Sequence, residues 1–319
     1  MIRPGQEKTV KRIYSVNVWI SVGFVIMWSS GFIGARLGAH EAGTYPLLMW
    51  RFVIAAAILV AVQLFRRTPR MSPRDIVVQI AVGILGVGGI ALGTVKAIEL
   101  GVGAGTVALI AALQPIVSSA VAGPVLGEQV SRRQWAGLIV GLAGVALVVG
   151  GDLGRPHDAP WWAFGLPFAG MAGLVAATML ERRAGAHTDL TGGLTVQCVA
   201  SAVLFTVLSL VAGEGAPPGD GTFWLAVGWF AVSIFGGYGF YWLGVRRMSI
   251  ARMTSLIYLT PPTIALWALL MFGDRIAPLA IVGMAVCLLS VLLALQPESE
   301  PEKVPEHDPA SELLNIREQ

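Results

Sequence analysis

Arg51 is the residue whose type and surroundings ask most plainly for an explanation. It stands inside the run Tyr45–Phe65, which carries no other charge, about 9 Å from the start of that run at the helical rise of ~1.5 Å per residue. A guanidinium keeps its proton, and burying it in an apolar phase costs several kcal/mol unless it is paired or reaches water. It has two readings: a cavity-facing fork that binds a carboxylate or phosphate, or a structural arginine that caps loops at a membrane surface. Glu41 and Glu99 are charge partners within reach of the same side. Two proline breaks come next, Gln114-Pro115 and Thr260-Pro261-Pro262. Proline removes a backbone donor, bends a helix and frees a carbonyl. Gln114 would offer an amide there, and Tyr258 and Thr260 hydroxyls; the alternative is a kink that only shapes the bundle. Trp28, Tyr238 and Trp267 lie deeper and read either as interface anchors, the default for such rings, or as faces that stack on an apolar or aromatic solute, whereas Trp161 and Trp162 read as interface anchors. Glu128 and Asp274 each follow an apolar run and stand near Arg132, Arg133 and Arg275, so they read either as gate residues or as solvated turns.

This is recognition chemistry, not catalysis. The four histidines (His40, His157, His187, His307) do not cluster, and the two cysteines, Cys198 and Cys287, lie singly in apolar runs, which argues for small buried side chains rather than a disulfide or a metal site. Gly86-Val87-Gly88-Gly89 and Gly101-Val102-Gly103-Ala104-Gly105 resemble nucleotide loops only superficially, since neither follows a strand or brings a P-loop lysine. The sequence leads us to expect no enzyme, no metal, no cofactor and no nucleic-acid partner.

The elements that must position these residues follow from composition. The chain has 319 residues, 55% hydrophobic and only 13% charged, against about a quarter charged in soluble domains. Charge-free windows cover Ile13–Ala35, Ile76–Val95, Leu100–Gly127, Gln134–Gly151, Ala159–Leu180, Leu190–Gly213, Gly221–Val245, Met253–Gly273 and Ile276–Pro297, and Tyr45–Phe65 makes a tenth. A hydrocarbon core of ~30 Å needs about 20 such residues. The spans are apolar on all sides, whereas only a central helix of a soluble bundle can be so, and they lack the alternation of membrane strands. The first run is too long for a signal-peptide core and reads as a retained helix.

Basic residues set the expected orientation. With the N-terminus cytoplasmic, that side collects Arg3, Lys8, Lys11, Arg12, Arg66, Arg67, Arg70, Arg74, Arg132, Arg133, Arg182, Arg183, Arg246, Arg247, Arg252, Lys303 and Arg317, against Arg36, Lys96, Arg155 and Arg275 opposite. This asymmetry follows the positive-inside rule and puts both termini in the cytoplasm. The acidic segment 297–319 reads as a flexible cytoplasmic tail.

The two halves match without gaps at an offset of 146: Gln114-Pro115 with Thr260-Pro261, Gly127-Glu128 with Gly273-Asp274, and Arg36, Gly93 and Gly137 with Arg182, Gly239 and Gly283. Arg51 meets Gln197. The common register implies duplication, and five spans per half imply that the second half enters from the opposite side, the plan of many secondary carriers. The small pairs Gly137–Gly141 and Gly283–Cys287 predict a close helix seam, within one chain in preference to between chains.

The chain also resembles the drug/metabolite transporter superfamily with two EamA-type repeats. The resemblance rests on Trp28-Ser29-Ser30-Gly31-Phe32-Ile33-Gly34-Ala35-Arg36, Trp50-Arg51-Phe52, Leu109–Pro115, Leu126-Gly127-Glu128 and Trp135–Gly141, echoed by Leu256–Pro262, Phe272-Gly273-Asp274-Arg275 and Gly283. Asp274, where the second repeat commonly has Glu, and Gln197, opposite Arg51, depart from symmetry and argue that the halves are not equivalent. The resemblance implies an all-α integral membrane protein of ten transmembrane helices, with a cytoplasmic N-terminus at 1–12, five-helix repeats at 13–151 and 159–296, and a central cavity. The expected function is a secondary transporter of the plasma (inner) membrane that moves an amino acid or related small metabolite by alternating access, outward. The alternatives are an uptake or exchange carrier for a cofactor, nucleoside-like solute or drug, and, at a distance, a membrane enzyme. Expected substrate contacts are Trp28, Arg51, Gln114, Gln197, Tyr238, Tyr258, Thr260 and Trp267. Pro115, Pro261 and Pro262 form the kinks, and Glu128 and Asp274 are the gate residues. The expected partners are a small-molecule substrate and membrane lipid, with the chain a monomer or a homodimer.

Overall fold

The computed structural model describes residues 17–31, 43–66, 71–153, 159–184, 189–214, 221–273, 276 and 278–295. The termini at 1–12 and 297–319, with Glu41, Asp274 and Arg275, lie outside them. Among the described residues there are helices and no strands. The helices are α1 over 17–31, α2 (Thr44–Arg66), α3 (Pro73–Glu99), α4 (Thr106–Leu126), α5 (Arg132–Leu153), α6 (Trp161–Ala184), α7 (Leu190–Val211), α8 (Gly221–Arg247), α9 (Ile250–Phe272) and α10 (Pro278–Leu295). Eight of these, α2 to α9, are long and apolar enough to cross a membrane, and α10 is a shorter apolar helix. Large apolar side chains cover the outside too: Leu64, Phe65, Val211 and Leu270 are all exposed. A bundle apolar inside and out belongs in lipid, where the outer face gains nothing from polarity.

Helix ends follow local chemistry. Ser72 caps α3 by accepting from the Asp75 backbone N–H at 3.1 Å, with Pro73 in the first turn. Asp189 caps α7 by accepting from Gly192 N at 3.1 Å, as short polar side chains do at a helix start. At their other ends α2 and α8 run on past the last apolar residue into Arg66 and into Arg246 and Arg247, whose charge favours the helix C-terminus. The helix α6 likewise runs four residues beyond the charge-free window and carries Glu181 into the bundle, where it is buried. Glu181 lies one residue beyond its predicted span, at the basic end of the helix, and is a buried carboxylate that the sequence did not single out.

The offset of 146 reappears as packing. Gly137 meets Ser290, whose Oγ donates to the Gly137 carbonyl at 2.7 Å; Cys287 lies against Gly141; Gly144 faces Gly283. Numbers rise along α5 as they fall along α10, so these two equivalent helices pack antiparallel. Gly137–Ser290 and Gly144–Gly283 are the same contact under exchange of the halves, and Gly141–Cys287 maps onto itself. The seam foreseen at Gly137–Gly141 is thus internal to the chain. Likewise α2 packs on its equivalent α7, with Phe52 and Phe205 stacked at 5.5 Å. The two remaining long seams are α1 with α8, where Gly237 touches Trp28, and α3 with α6, where Gly170 touches Gly89 and Gly173 touches Leu85. Small residues permit such close helix approach in a phase that offers no hydrophobic drive.

The helices α4 and α9 are interrupted at matching points. A turn at Ala112–Leu113 precedes the segment Gln114–Leu126, and a 3₁₀ turn at Leu256–Leu259 precedes Thr260–Phe272. Pro115, Pro261 and Pro262 stand at the start of the second segments, so the spans are broken rather than merely bent. Each second segment ends on a left-handed glycine, Gly127 at φ 72° and Gly273 at φ 69°, a conformation that glycine adopts without steric cost.

Candidate functional site

Where the broken helices meet the seams, a cavity of about 150 Å³ opens. Its wall takes Trp28 and Gly31 from α1, Arg51 from α2, Ile90, Ala91, Thr94, Val95 and Ile98 from α3, Ala111 and Gln114 from α4, Leu174 from α6, Phe230, Ser233 and Tyr238 from α8, and Ile257 from α9. Proline chemistry explains two of these. Pro115 has no N–H to give to the carbonyl of Ala111, four residues earlier, and Pro261 none to give to Ile257. Ala111 and Ile257 are equivalent under the 146 offset and both line the cavity, and the Ile257 carbonyl takes the Thr260 backbone N–H of the 3₁₀ turn in place of the missing proline donor.

The aromatic side of the cavity is preassembled. Trp28 meets Tyr238 edge-on at 5.0 Å between ring centres and Tyr241 at 5.7 Å. The Arg51 guanidinium carbon lies 4.3 Å from the Phe230 ring centre and 5.4 Å from that of Phe52. Its Nε is sealed from water without a hydrogen-bond partner, while the residue as a whole keeps partial exposure. Glu99 is engaged elsewhere: it binds Thr44 N at 3.2 Å and Lys96 Nζ at 2.9 Å.

On α2, α3 and α8 the cavity residues lie in the halves remote from Arg66, Arg74, Arg246 and Arg247, except Tyr238, which lies just past the middle of α8. Toward that basic end the path is filled by side chains. Tyr241 Oη accepts from Gln114 Nε2 at 3.0 Å and shares a hydrogen bond with Thr178 Oγ1 at 2.7 Å, forming the floor. Below it the indole N–H of Trp242 donates to Gln197 at 2.8 Å, Gln197 donates to Gln79 at 2.5 Å, and Gln79 donates to Glu181 at 2.8 Å. Arg246 closes the chain through Nε on the Glu181 carboxylate at 2.9 Å. These groups come from α3, α6, α7 and α8, so one network ties both halves. Around it, Glu128 pairs with Arg182 at 2.9 Å and accepts the Ile250 backbone N–H at 3.0 Å, while Arg182 also donates to the Val245 carbonyl.

Tyr241→Phe should test the floor. Removing one hydroxyl strips Gln114 and Thr178 of a buried partner, and a loss of about 1–2 kcal/mol is expected. Thermal unfolding in detergent reads it; an unchanged midpoint would show that water replaces the phenol without loss.

Of the residues singled out in the sequence, Trp28, Arg51, Gln114 and Tyr238 border the cavity. Four others stand off it. Gln197 belongs to the buried network. Tyr258 is fully buried and Thr260 nearly so, and neither hydroxyl has a partner. Trp267 lies edge-on to Trp229 at 6.3 Å. Glu128 reaches past the neighbouring Arg132 and Arg133 to α6 and to the start of α9. Thr94, Ser233 and Phe230 on the wall, and Glu181, Arg246 and Gln79 below it, were missed. A hint was available for α3: the glycines Gly83, Gly86, Gly88 and Gly89 sit in and beside a π-helical stretch, Gly83–Gly88, an irregularity frequent at functional sites. Ser201 Oγ and Tyr238 Oη donate to carbonyls of that stretch at 3.1 and 3.4 Å. Among the described residues no group of three or more His, Cys, Asp or Glu is placed to share a metal ion.

Comparison with known proteins agrees with this architecture. The profile of the EamA-like transporter family matches residues 16–150 and again 161–296. A protein of Streptantibioticus cattleyicolor named as a probable terminal-alkyne amino-acid exporter is 29% identical over 285 residues, 88% of this chain and 93% of its own. The WAT1-related protein At3g02690, chloroplastic, of Arabidopsis thaliana is 22% identical over 85% of this chain and 67% of its own. A protein of known crystal structure shares the fold with a TM-score of 0.74 at 21% identity, over 86% of this chain and 97% of its own.

Proposed function

Because this chain belongs to the EamA-like transporter family, we propose that it is a secondary carrier that exports an amino acid or a related small metabolite by alternating access. The observation that carries this reading is a cavity at the junction of the halves, closed at one end by breakable side-chain hydrogen bonds and ion pairs rather than by backbone. A gate must open within microseconds to seconds, which side-chain ties allow. Ten transmembrane helices in two inverted five-helix repeats fit the antiparallel seams, and a plasma-membrane location with both termini cytoplasmic fits the basic residues. On that orientation the cavity opens outward and the Glu181–Arg246 network, with Glu128, closes the cytoplasmic side. Trp28, Arg51, Gln114 and Tyr238 are the proposed substrate contacts of this state. Gln197, equivalent to Arg51, would line the path when the cytoplasmic side opens. Export of an amino-acid-like solute is supported by the Streptantibioticus relative. Uptake or exchange of a cofactor, nucleoside-like solute or drug is the second reading, favoured by the aromatic wall.

Purified protein in liposomes should show saturable uptake of radiolabelled amino acids that is stimulated by unlabelled solute on the far side. Flux that rises linearly with concentration, or none across a panel of amino acids, nucleosides and cofactors, would overturn the proposal.

A further inference from the structure

We infer that the cavity selects monocarboxylates, with Arg51 as the anchor of the carboxylate; this rests on the carrier reading and deepens it. Arg51 is set apart by the partners it lacks among the described residues. It lines the cavity, its Nε is sealed without a partner, and among the described residues no carboxylate pairs with it. Glu99, the acid nearest in the sequence reading, is held by Lys96 and Thr44. Phe230 and Phe52 supply ring faces, which attract the cation but leave its in-plane N–H donors unused. A buried, unpaired charge is among the most costly features a membrane protein can hold. No described residue supplies that acceptor, and on this inference the transported solute does.

The chemistry of that acceptor follows from the wall. One arginine and no second cation among its described residues match a single negative charge, so a carboxylate fits and a doubly charged phosphate ester does not. Two oxygens in a plane meet the guanidinium fork in a bidentate pair. Trp28 and Tyr238 face the rest of the solute with apolar rings. The described wall holds no acidic side chain, so an α-ammonium group finds no ion-pair partner there and meets only neutral acceptors such as the Thr94 and Ser233 hydroxyls. The carboxylate, not the ammonium, dominates recognition.

The test uses the full-length protein in detergent and matched probes: phenylalanine, its amide, and 3-phenylpropionate, which lacks the amino group. Ligand-induced thermal stabilisation gives relative affinities. Phenylalanine and 3-phenylpropionate should bind within a few fold of each other, and the amide at least about tenfold more weakly, the scale of a charge-assisted hydrogen bond. Arg51→Gln should remove the preference for acid over amide, and Arg51→Lys should restore part of it. The acid–amide comparison on the unaltered protein stands even if the variants fold poorly. Equal binding of acid and amide, tighter binding of phenyl phosphate, or no stabilisation by any carboxylate would overturn the inference. Counter-stimulated flux of an uncharged solute in the same preparation would leave the carrier reading intact while Arg51 lost its role.

Discussion

Replacing Glu181 by alanine is expected to destabilise the protein by about 3–5 kcal/mol, the range for removing one partner of a buried ion pair. Glu181 is 1% exposed and its partner Arg246 has a side chain only 15% exposed. Truncation would leave the Arg246 guanidinium without the oxygen that its Nε holds at 2.9 Å, and Gln79 without the acceptor that fixes its amide. Glu181→Gln keeps an acceptor oxygen and should lose about half as much. The double variant Glu181→Ala/Arg246→Ala should be more stable than the sum of the single changes implies, because both single changes remove the same ion pair. Thermal midpoints in detergent measure all three. A Glu181→Ala variant within about 0.5 kcal/mol of the parent would mean that the network is hydrated and does not seal the basic end.

Gly141→Leu should be comparably severe for a different reason. A Cβ at Gly141 would overlap the ring of Tyr258 and the Oγ of Ser290, so α5, α9 and α10 would have to separate where the two halves exchange their contacts. Overpacking of a fitted interface costs about 1–3 kcal/mol or more, and here the pieces displaced are an aromatic ring and a neighbouring helix. Gly150→Ala in the same helix is the control, since its Cβ would meet nothing closer than Leu279 at 3.7 Å; it should be neutral. Yield of monodisperse protein and thermal midpoint separate the two. Equal behaviour of the variants would show that the seam is looser than its contacts imply.

These two predictions mark where the sequence was readable and where it was not. The spans, the 146-residue offset and the matched Gly127 and Gly273 could be read because helices in lipid declare themselves by length and composition, and a repeat by register; that both glycines are left-handed came from the structure. Arg51 announced itself as a lone charge. Pro115 and Pro261 announced the breaks at α4 and α9. Which face of each helix sees the cavity could not be read in the same way. In a helix apolar all round no period distinguishes lumen from lipid, so Tyr258 and Trp267 looked as good as Tyr238. Glu181 was hidden by its position just past the end of an apolar window, and only tertiary contacts make it a buried residue. Its partners are 102 residues away at Gln79 and 65 away at Arg246. Likewise Gln197 gained its place in the network from Gln79, 118 residues distant. The symmetric counterparts of Glu181, Trp242 and Arg246 are Ala35, Lys96 and Leu100, so the sequence carries no acid–arginine pair at the matching positions of the first half.

Sided labelling of a cavity residue tests alternating access most directly. Thr94 lines the cavity and is partly exposed, and the two native cysteines are buried, so Thr94→Cys would report alone to a membrane-impermeant thiol reagent. In sealed vesicles of known orientation the account predicts labelling from the side opposite the arginine-rich loops in the absence of solute. A saturating transported carboxylate should shift part of that reactivity to the arginine-rich side. Simultaneous labelling from both sides at full rate would describe a channel, and labelling confined to one side under every condition, with solute and with Glu181→Gln alike, would contradict a path gated in turn from its two ends.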